Sequence, residues 1–238
     1  SRVNHQAPWV TTVGASTQRR QFASTLTLRG QGETLTIPGT SISPTGISRP
    51  TRVVLPELLP DYGLYPCLDS LPRSAVRGRI VACARLIGRI ESSYDVARAG
   101  GVGMILINPF QQTVLTDNHY VPTVHVQGGI QLYAWLEAHQ PVTATFTPGT
   151  KADGVGDVLA DFSSGGPGVD GVLKPDLVAP GTQILAGETP TVSDPLLGPS
   201  GEYFQAIAGT SMSAPHVAGA AALLRALHPT WVPGAIKS

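Results

Sequence analysis

Short apolar runs separated by turns make up most of this chain. The 27 Gly and 21 Pro among its 238 residues fall between these runs, which predicts many tight turns and short strands. Near the start, residues 10–15 (VTTVGA) predict a buried strand. No internal repeat accompanies the pattern.

The middle of the chain alternates strand and helix patterns. Residues 79–84 (RIVACA) and 102–107 (VGMILI) predict strands, and residues 93–99 predict a short helix that ends at Gly100-Gly101. A helix between two strands favours a parallel pair. Three further elements are predicted: strands at 121–126 and 142–146, and an amphipathic helix at 130–139 (IQLYAWLEAH).

A change in amino-acid composition marks each end of this middle region. Residues 41–60 are rich in Pro, Ser, Thr and Arg without periodicity, and residues 148–156 are polar and Gly-rich. The stretch between them has about the usual length of a domain. We therefore expect it to fold as a compact unit of its own.

The last third contains the candidate chemistry, in the sequence GTSMSAPHVAG at 209–219. Residues 211–227 are apolar on every side except at Arg225, which predicts a buried helix that ends before Pro229. Thr210 or Ser211 is expected at the N-cap, and Pro215 is tolerable near the first turn. A serine there faces the positive end of the helix dipole and free N–H groups that bind a developing oxyanion.

Ser211 is thus either a nucleophile or an ordinary capping residue. His216 lies five residues later, some 140° around the helix at about 100° per residue, so it does not point toward Ser211. We expect His216 to be a packed histidine rather than the base that activates Ser211. The Gly-Thr-Ser pattern alone favours the cap.

A longer match changes this balance. The segment 209–224 (GTSMSAPHVAGAAALL) resembles the nucleophile segment of the subtilisin-like serine proteases. Four other segments are similar to the same family in the same order: APW with VTTVGAST at 7–17, FSSGGP at 162–167, KPDLVAPG at 174–181 and WVPGAIKS at 231–238. The FSSGGP loop has Gly165 where the family usually has arginine. The resemblance implies a parallel α/β core with flanking helices and a serine endopeptidase with Ser211 as nucleophile, its backbone N–H forming part of the oxyanion hole.

The middle region resembles the protease-associated domain that many subtilases carry as an insertion. The resemblance implies three parts: residues 1–42 as the first part of the subtilase core, 43–148 as the α/β insertion, and 149–238 as the second part of the core. In the family such insertions are linked to substrate access, peptide binding or oligomerisation. The oligomeric state is not predicted by any feature of the sequence.

The triad partners of the family are not found in this sequence. Subtilases place the Asp in an Asp-Ser/Thr-Gly context and the His in a His-Gly-Thr context, before the Ser. None of the six histidines precedes a Gly, and no Asp begins such a triplet. Asn4, Asn108 and Asn118 lack the Gly-rich surroundings of the oxyanion donor. We therefore expect a fragment, inactive alone, whose catalytic Asp, His and oxyanion Asn belong to missing upstream sequence.

Other functions remain as alternatives. An α/β-hydrolase elbow differs from GTSMS only at its last position, but that fold needs its acid and histidine after the serine, where few residues remain. The insertion could instead be the functional part, as a peptide- or protein-binding module without catalysis. No His or Cys pair has metal-ligand spacing, so no cofactor is predicted, and the structural calcium that the family allows cannot be placed.

Charge and cysteine content narrow the partners. Sixteen basic and sixteen acidic residues balance, so electrostatics predicts neither nucleic acid nor a membrane surface as partner. A peptide or protein substrate is what the resemblance to the subtilases implies. No apolar run reaches membrane-spanning length.

Cys67 and Cys83 form a disulfide if the protein is secreted, as the family implies, or are two buried free thiols.

Overall fold

The computed structural model describes residues 3–60, 62, 67–68, 71–86, 88–168 and 171–238. The chain divides into two compact units. The helix unit comprises Ser1–Arg20, Asp153–Ile184 and Ile207–Ser238, and the barrel unit comprises Gln21–Ala152 and Leu185–Ala206.

The helix unit contains a small parallel sheet and two helices. Strand β1 (Val13–Ser16) pairs in parallel with β10 (Leu177–Pro180), with Val13 opposite Leu177. Helix α4 (Thr210–Leu227) packs on both strands, and α5 (Pro233–Lys237) contacts α4. The strand expected at residues 10–15 is present and is mostly buried.

The barrel unit is built around one large sheet. Its strands are β2 (Arg20–Gly30), β3 (Glu33–Thr40), β4 (Ile47–Val54), β5 (Ile80–Ala84), β6 (Gly103–Asn108), β7 (Thr123–Gln127), β8 (Thr143–Phe146) and β9 (Thr150–Asp153). Its helices are α1 (Arg73–Val76), α2 (Arg89–Arg98) and α3 (Gly129–Ala138), with a 3-10 turn at Pro56–Leu58.

The sheet closes on itself. Neighbouring strands follow the order β3-β7-β6-β5-β4-β8-β2, and β2 also pairs with β3, so seven strands form a ring to which β9 adds at β2. Strands β4 to β7 are parallel, whereas β2, β3 and β8 join by antiparallel pairing. Closure removes the unpaired edges that a sheet of this size would otherwise expose.

The sequence patterns of the middle region are confirmed at the level of elements. Strands β5 and β6 are parallel neighbours with α2 between them in sequence. The stretch 43–148 lies wholly within the barrel unit. That unit begins earlier, at Gln21, because β2 and β3 pair into the same sheet.

A hairpin from the later part of the chain also belongs to the barrel unit. Strand β11 (Ile184–Gly187) pairs with β12 (Phe204–Ile207), and a 3-10 turn at Pro195–Leu197 contacts α2. The Tyr120 hydroxyl donates to the carbonyl of Gly198 at 2.6 Å, and Asn118 Nδ2 donates to Phe204 O at 2.8 Å. Residues distant in sequence therefore complete this unit.

The barrel unit has two buried apolar clusters. The larger fills the ring of strands and includes Leu26, Ile105 and Phe146. The smaller lies between the sheet and α2 and includes Val76 and Leu106. Cys67 and Cys83, both fully buried in this smaller cluster, form a disulfide with their Cα atoms 5.4 Å apart.

Helix α4 is not the buried helix that its composition predicts. Ser213 is its only buried residue, and Leu223 and Leu227 are 70% and 73% exposed. The physical reason is that the two-stranded sheet covers only one side of a helix that is apolar on all sides.

Within the described residues, none of the helices combines the length and hydropathy needed to cross a bilayer.

Candidate active site

The start of α4 places Ser211 at the surface. Gly209 is the N-cap in an extended conformation, held by its N–H to the carbonyl of Gly181 at 2.8 Å, so neither Thr210 nor Ser211 is the cap. Thr210 and Ser211 occupy the first two helical positions, where backbone N–H groups have no intrahelical acceptor. Ser211 is exposed, and no side-chain hydrogen bond caps the helix. This position leaves the hydroxyl accessible beside free N–H groups.

Ser211 lines a cleft of about 430 Å³ within the helix unit. Thr210 and Ala214 form its wall on α4, Ser164 and Pro175 contribute from two loops, and the remaining lining residues are Val3, Asn4, His5 and the segment 10–14. The cleft therefore gathers residues that the sequence separates by about two hundred positions. Sequence reasoning did not select Asn4, His5 or Ser164 as cleft residues, because no local pattern marks them.

His216 is separate from this cleft. Its ring Nδ1 donates to the carbonyl of Met212 at 2.7 Å, one turn earlier in α4, and the side chain is exposed. The expectation of a packed histidine is therefore wrong, for the same reason that the helix is not buried. His216 is not among the residues that line the cleft, and its orientation away from Ser211 stays a prediction.

Close packing fixes α4 against the strands. A Cβ at Gly181 would lie 2.3 Å from Ser213 Oγ, so only glycine allows this approach. The Ser163 hydroxyl accepts the N–H of Ala15 at 3.0 Å, and a Cβ at Gly14 would lie 3.0 Å from that same hydroxyl. These contacts hold the loop that carries Ser164 beside β1.

An ion-pair network ties together the segments behind the cleft. Lys174 is 1% exposed, and its Nζ donates to Asp176 Oδ2 at 2.6 Å and to Val10 O at 2.7 Å. Asp176 also accepts the N–H of Thr12 at 2.7 Å and lies 3.4 Å from Lys237 Nζ. Burial raises the pKa of Asp176, but the hydrogen bonds from Lys174, Thr12 and Lys237 outweigh it and lower the pKa to about 2. The carboxylate thus stays ionised and holds residues 10–12 in place.

In the part of the chain that the structure describes, no three His, Cys, Asp or Glu side chains come together as a metal site. The cleft brings together the Ser211 hydroxyl, the backbone N–H groups at the start of α4 and the polar side chains around them.

Comparison with known proteins assigns the family. The model of the subtilase family, Peptidase_S8, matches residues 2–238. The chain belongs to the subtilase family, which disfavours the α/β-hydrolase alternative.

Plant proteins are among its relatives. The chain is 40% identical to the subtilisin-like protease SBT1.4 of Arabidopsis thaliana, over 98% of this chain and 31% of that protein. It is 37% identical to SBT1.3 (98% and 32%) and 34% identical to SBT5.3 (100% and 33%) of the same plant. The chain therefore spans about a third of the length of these relatives.

Proposed function

We propose that this chain carries the nucleophile of a serine endopeptidase, with Ser211 in that role. The observation that supports it is the exposed Ser211 at the start of α4, open to a cleft and preceded by the glycine cap. In the proposed reaction the Ser211 oxygen attacks a peptide carbonyl as a base removes its proton. The backbone N–H of Ser211 donates to the resulting oxyanion. The amine then leaves, and water hydrolyses the acyl-enzyme.

The base is proposed to come from polypeptide outside these 238 residues. His216 is held by its own helix, and His5, although it lines the cleft, lies in no His-Gly-Thr context. A serine without its base and oxyanion partner retains little activity, on the order of 10⁴- to 10⁶-fold below a complete site. The chain alone is therefore expected to be inactive. The reaction needs no cofactor, and no calcium ligands are proposed.

Peptide hydrolysis by a completed protein tests this proposal. The chain would be fused behind the preceding part of the relative SBT1.4 and compared with the 238 residues alone. Only the fusion should cleave peptides, and Ser211→Ala should abolish that cleavage, whereas Ser213→Ala, two residues away, controls for damage to the helix. Cleavage that survives Ser211→Ala would reject Ser211 as the nucleophile.

We also propose that the barrel unit is a protease-associated domain. Its separate core supports this, as does its alternation of parallel strands and helices. The second candidate function, peptide or protein binding without catalysis, belongs to this unit. Binding of peptides by the whole chain, unchanged in Ser211→Ala, would favour that candidate.

Secretion is the proposed localisation, with peptides or proteins as substrates. The Cys67–Cys83 disulfide supports it, because disulfides persist mainly in oxidising compartments. Thiol labelling of the protein taken directly from its natural source would test this. Unlabelled cysteines are expected until a reductant is added, whereas free thiols would contradict secretion.

A further inference from the structure

The barrel unit concentrates positive charge at one place, although the chain as a whole is neutral. The nine residues 71–79 (LPRSAVRGR) contain three arginines and no acidic residue. They form α1 and the turn into β5, between the two cysteines of the disulfide. Neither the subtilase reaction nor the barrel core requires these charges.

The fold brings a fourth arginine to the same surface. Arg73 Nη1 donates to the carbonyl of Arg98, the last residue of α2, at 2.9 Å. The side chain of Arg77 packs against Gly100, where a Cβ would lie 3.3 Å from its Cγ. The carbonyl of Arg79 accepts the N–H of Val102 at 2.9 Å. All four arginines therefore border the segment 98–102, and we call them the arginine cluster.

The cluster is anchored but not neutralised. Within the described residues its only ion pair joins Arg98 to Asp95 at 4.0 Å, and the Arg98 side chain is 68% exposed. Arg73 and Arg77 are also exposed. Guanidinium groups that are held in place yet open to solvent retain donors for carboxylate, sulfate or phosphate oxygens.

A groove of about 410 Å³ lies beside the cluster. Its lining residues are Leu71, Arg73, Asp95, Arg98 and Ala99, so it holds two guanidinium groups and one carboxylate, which pairs with Arg98. Arg77 is the C-cap of α1, and its backbone N–H donates to the carbonyl of Arg73 at 3.0 Å, so a further exposed guanidinium lies close in sequence to the groove. Several cations on one surface are suited to a polymer with repeated anionic groups.

We propose that the arginine cluster binds an acidic polysaccharide. The disulfide beside it favours an oxidising compartment, where nucleic acid is not the expected polyanion. Single-stranded nucleic acid is usually held by exposed aromatic rings, whereas Tyr94, beside Arg98 in α2, is only partly exposed and packs against Arg98 at 5.5 Å and Tyr120 at 5.0 Å. This proposal does not depend on the role of Ser211.

The test uses the whole chain with heparin as a sulfated probe and polygalacturonate as a carboxylated probe. The triple variant Arg73→Gln, Arg77→Gln, Arg98→Gln removes three charges from the cluster. The matched control, Arg29→Gln, Arg49→Gln, Arg52→Gln, removes three exposed charges from β2 and β4 of the same unit. Affinity would be measured over a range of salt concentrations.

At near-physiological salt the affinity of the cluster variant for at least one probe should be lower by roughly tenfold or more. The slope of log affinity against log salt concentration should be smaller in magnitude by about two to three for this variant than for the parent. The control variant should bind like the parent. An equal loss in both triples, or no loss in the cluster variant, would overturn the proposal. Tighter binding of single-stranded DNA than of both polysaccharides would also overturn it.

A second variant separates binding from folding. Arg73→Lys, Arg77→Lys, Arg98→Lys keeps the charge but loses the planar fork, so it should retain part of the affinity. If the glutamine triple does not fold, the single change Arg77→Glu replaces it, since its side chain makes no ion pair in the described residues. Unchanged probe affinity in Arg77→Glu would count against the cluster.

Discussion

The barrel unit buries its apolar residues inside a closed sheet, whereas the helix unit leaves much of its apolar helix exposed. Leu106 in β6 is fully buried, but Leu223 in α4 is 70% exposed. Both lie in strongly apolar segments, so composition does not explain the contrast. The difference lies in the elements that pack against each segment. Strand β6 has a neighbouring strand on each side and contacts α2, whereas α4 packs against a single two-stranded sheet.

This contrast matches the proposed division of labour. A unit that closes on its own strands can keep a surface feature, such as the arginine cluster, in fixed geometry. A unit whose longest helix, α4, leaves most of its apolar residues exposed is suited to bind further polypeptide over that apolar surface. The proposed source of the catalytic base is that same additional polypeptide.

The largest expected effect comes from the barrel core. Ile105→Ala removes buried methyl and methylene groups from the ring of strands and should lower the free energy of unfolding by about 2 to 5 kcal/mol. The exposed counterpart Leu223→Ala in α4 should change it by less than about 0.5 kcal/mol. The free energy of unfolding of each variant would be measured by urea unfolding. Hydrogen exchange in peptides from β6 and α4 would report which unit loses stability. Equal losses would remove the contrast between the units.

The disulfide should stabilise the barrel unit alone. Cys67 and Cys83 are 16 residues apart, so replacing both with Ala should cost about 3 kcal/mol in the chain-entropy model. Exchange should rise in β5 and β6 and stay unchanged in β1 and α4. If protection falls equally in α4, the two units do not unfold independently.

Acid should affect the two units over different pH ranges. Burial lowers the pKa of His125 to about 3, aided by Arg85 and opposed by the hydrogen bond to Leu115 and by the Asp117 charge. Its folded pKa lies below the unfolded value near 6.5, so its contribution is complete above pH 6.5 and is lost as the pH falls toward 3. His125 alone should contribute a loss of up to about 1.4 kcal/mol per pH unit to the barrel unit across that range. Burial also lowers the pKa of His119, in the same unit, to about 4, so His119 adds to the loss below pH 6.5.

The helix unit should lose stability only at a lower pH than the barrel unit. The pKa of Asp176 is lowered to about 2, so the stability it provides is present above pH 4 and is lost only as the pH falls toward 2. The urea midpoint of each unit would be measured between pH 7 and pH 3 from hydrogen exchange in its own peptides, and the two midpoints should fall in this order. His125→Gln should reduce the pH dependence of the barrel unit to the part that His119 contributes. Acid loss beginning in α4 and β1 near pH 6 would contradict it.

The smallest expected effect concerns the ion-pair network behind the cleft. Lys237 is only partly buried and donates to Val10 O at 2.8 Å, while the buried Lys174 also holds Asp176. Lys237→Met should therefore cost about 1 kcal/mol or less, measured by thermal unfolding. Lys174→Met is the matched comparison and should cost more, because it leaves Asp176 without its nearest cation. A larger loss from Lys237→Met would make α5 the main support of this segment.

The elements were easier to predict than their partners in space. The run that forms β5 is apolar throughout and that of β6 is apolar up to Ile107, and the helix pattern between them predicts parallel pairing. Strand β2 alternates, with Ser24, Leu26 and Leu28 buried in turn, but alternation does not say which sheet a strand joins. Its pairing with β3 and β8 depends on residues up to 146.

The site shows the same limit. The segment around Ser211 is marked by its own residues, so sequence alone could select it. Asn4, His5 and Ser164 join the cleft only through the packing of β1 against β10 and α4, which no local pattern encodes. The burial of α4 was mispredicted because burial depends on what covers a helix as well as on its composition.

The most direct test of the central claim is fluorophosphonate labelling, with the modified residue located by mass spectrometry. The chain would be labelled alone and as the fusion with the preceding part of SBT1.4, each with Ser211→Ala, His216→Ala and His5→Ala versions. We expect no appreciable labelling of the chain alone. In the fusion we expect labelling at Ser211, lost in Ser211→Ala and retained in both histidine variants. Strong labelling of the chain alone, abolished by either histidine variant, would contradict the account and place the base within these 238 residues.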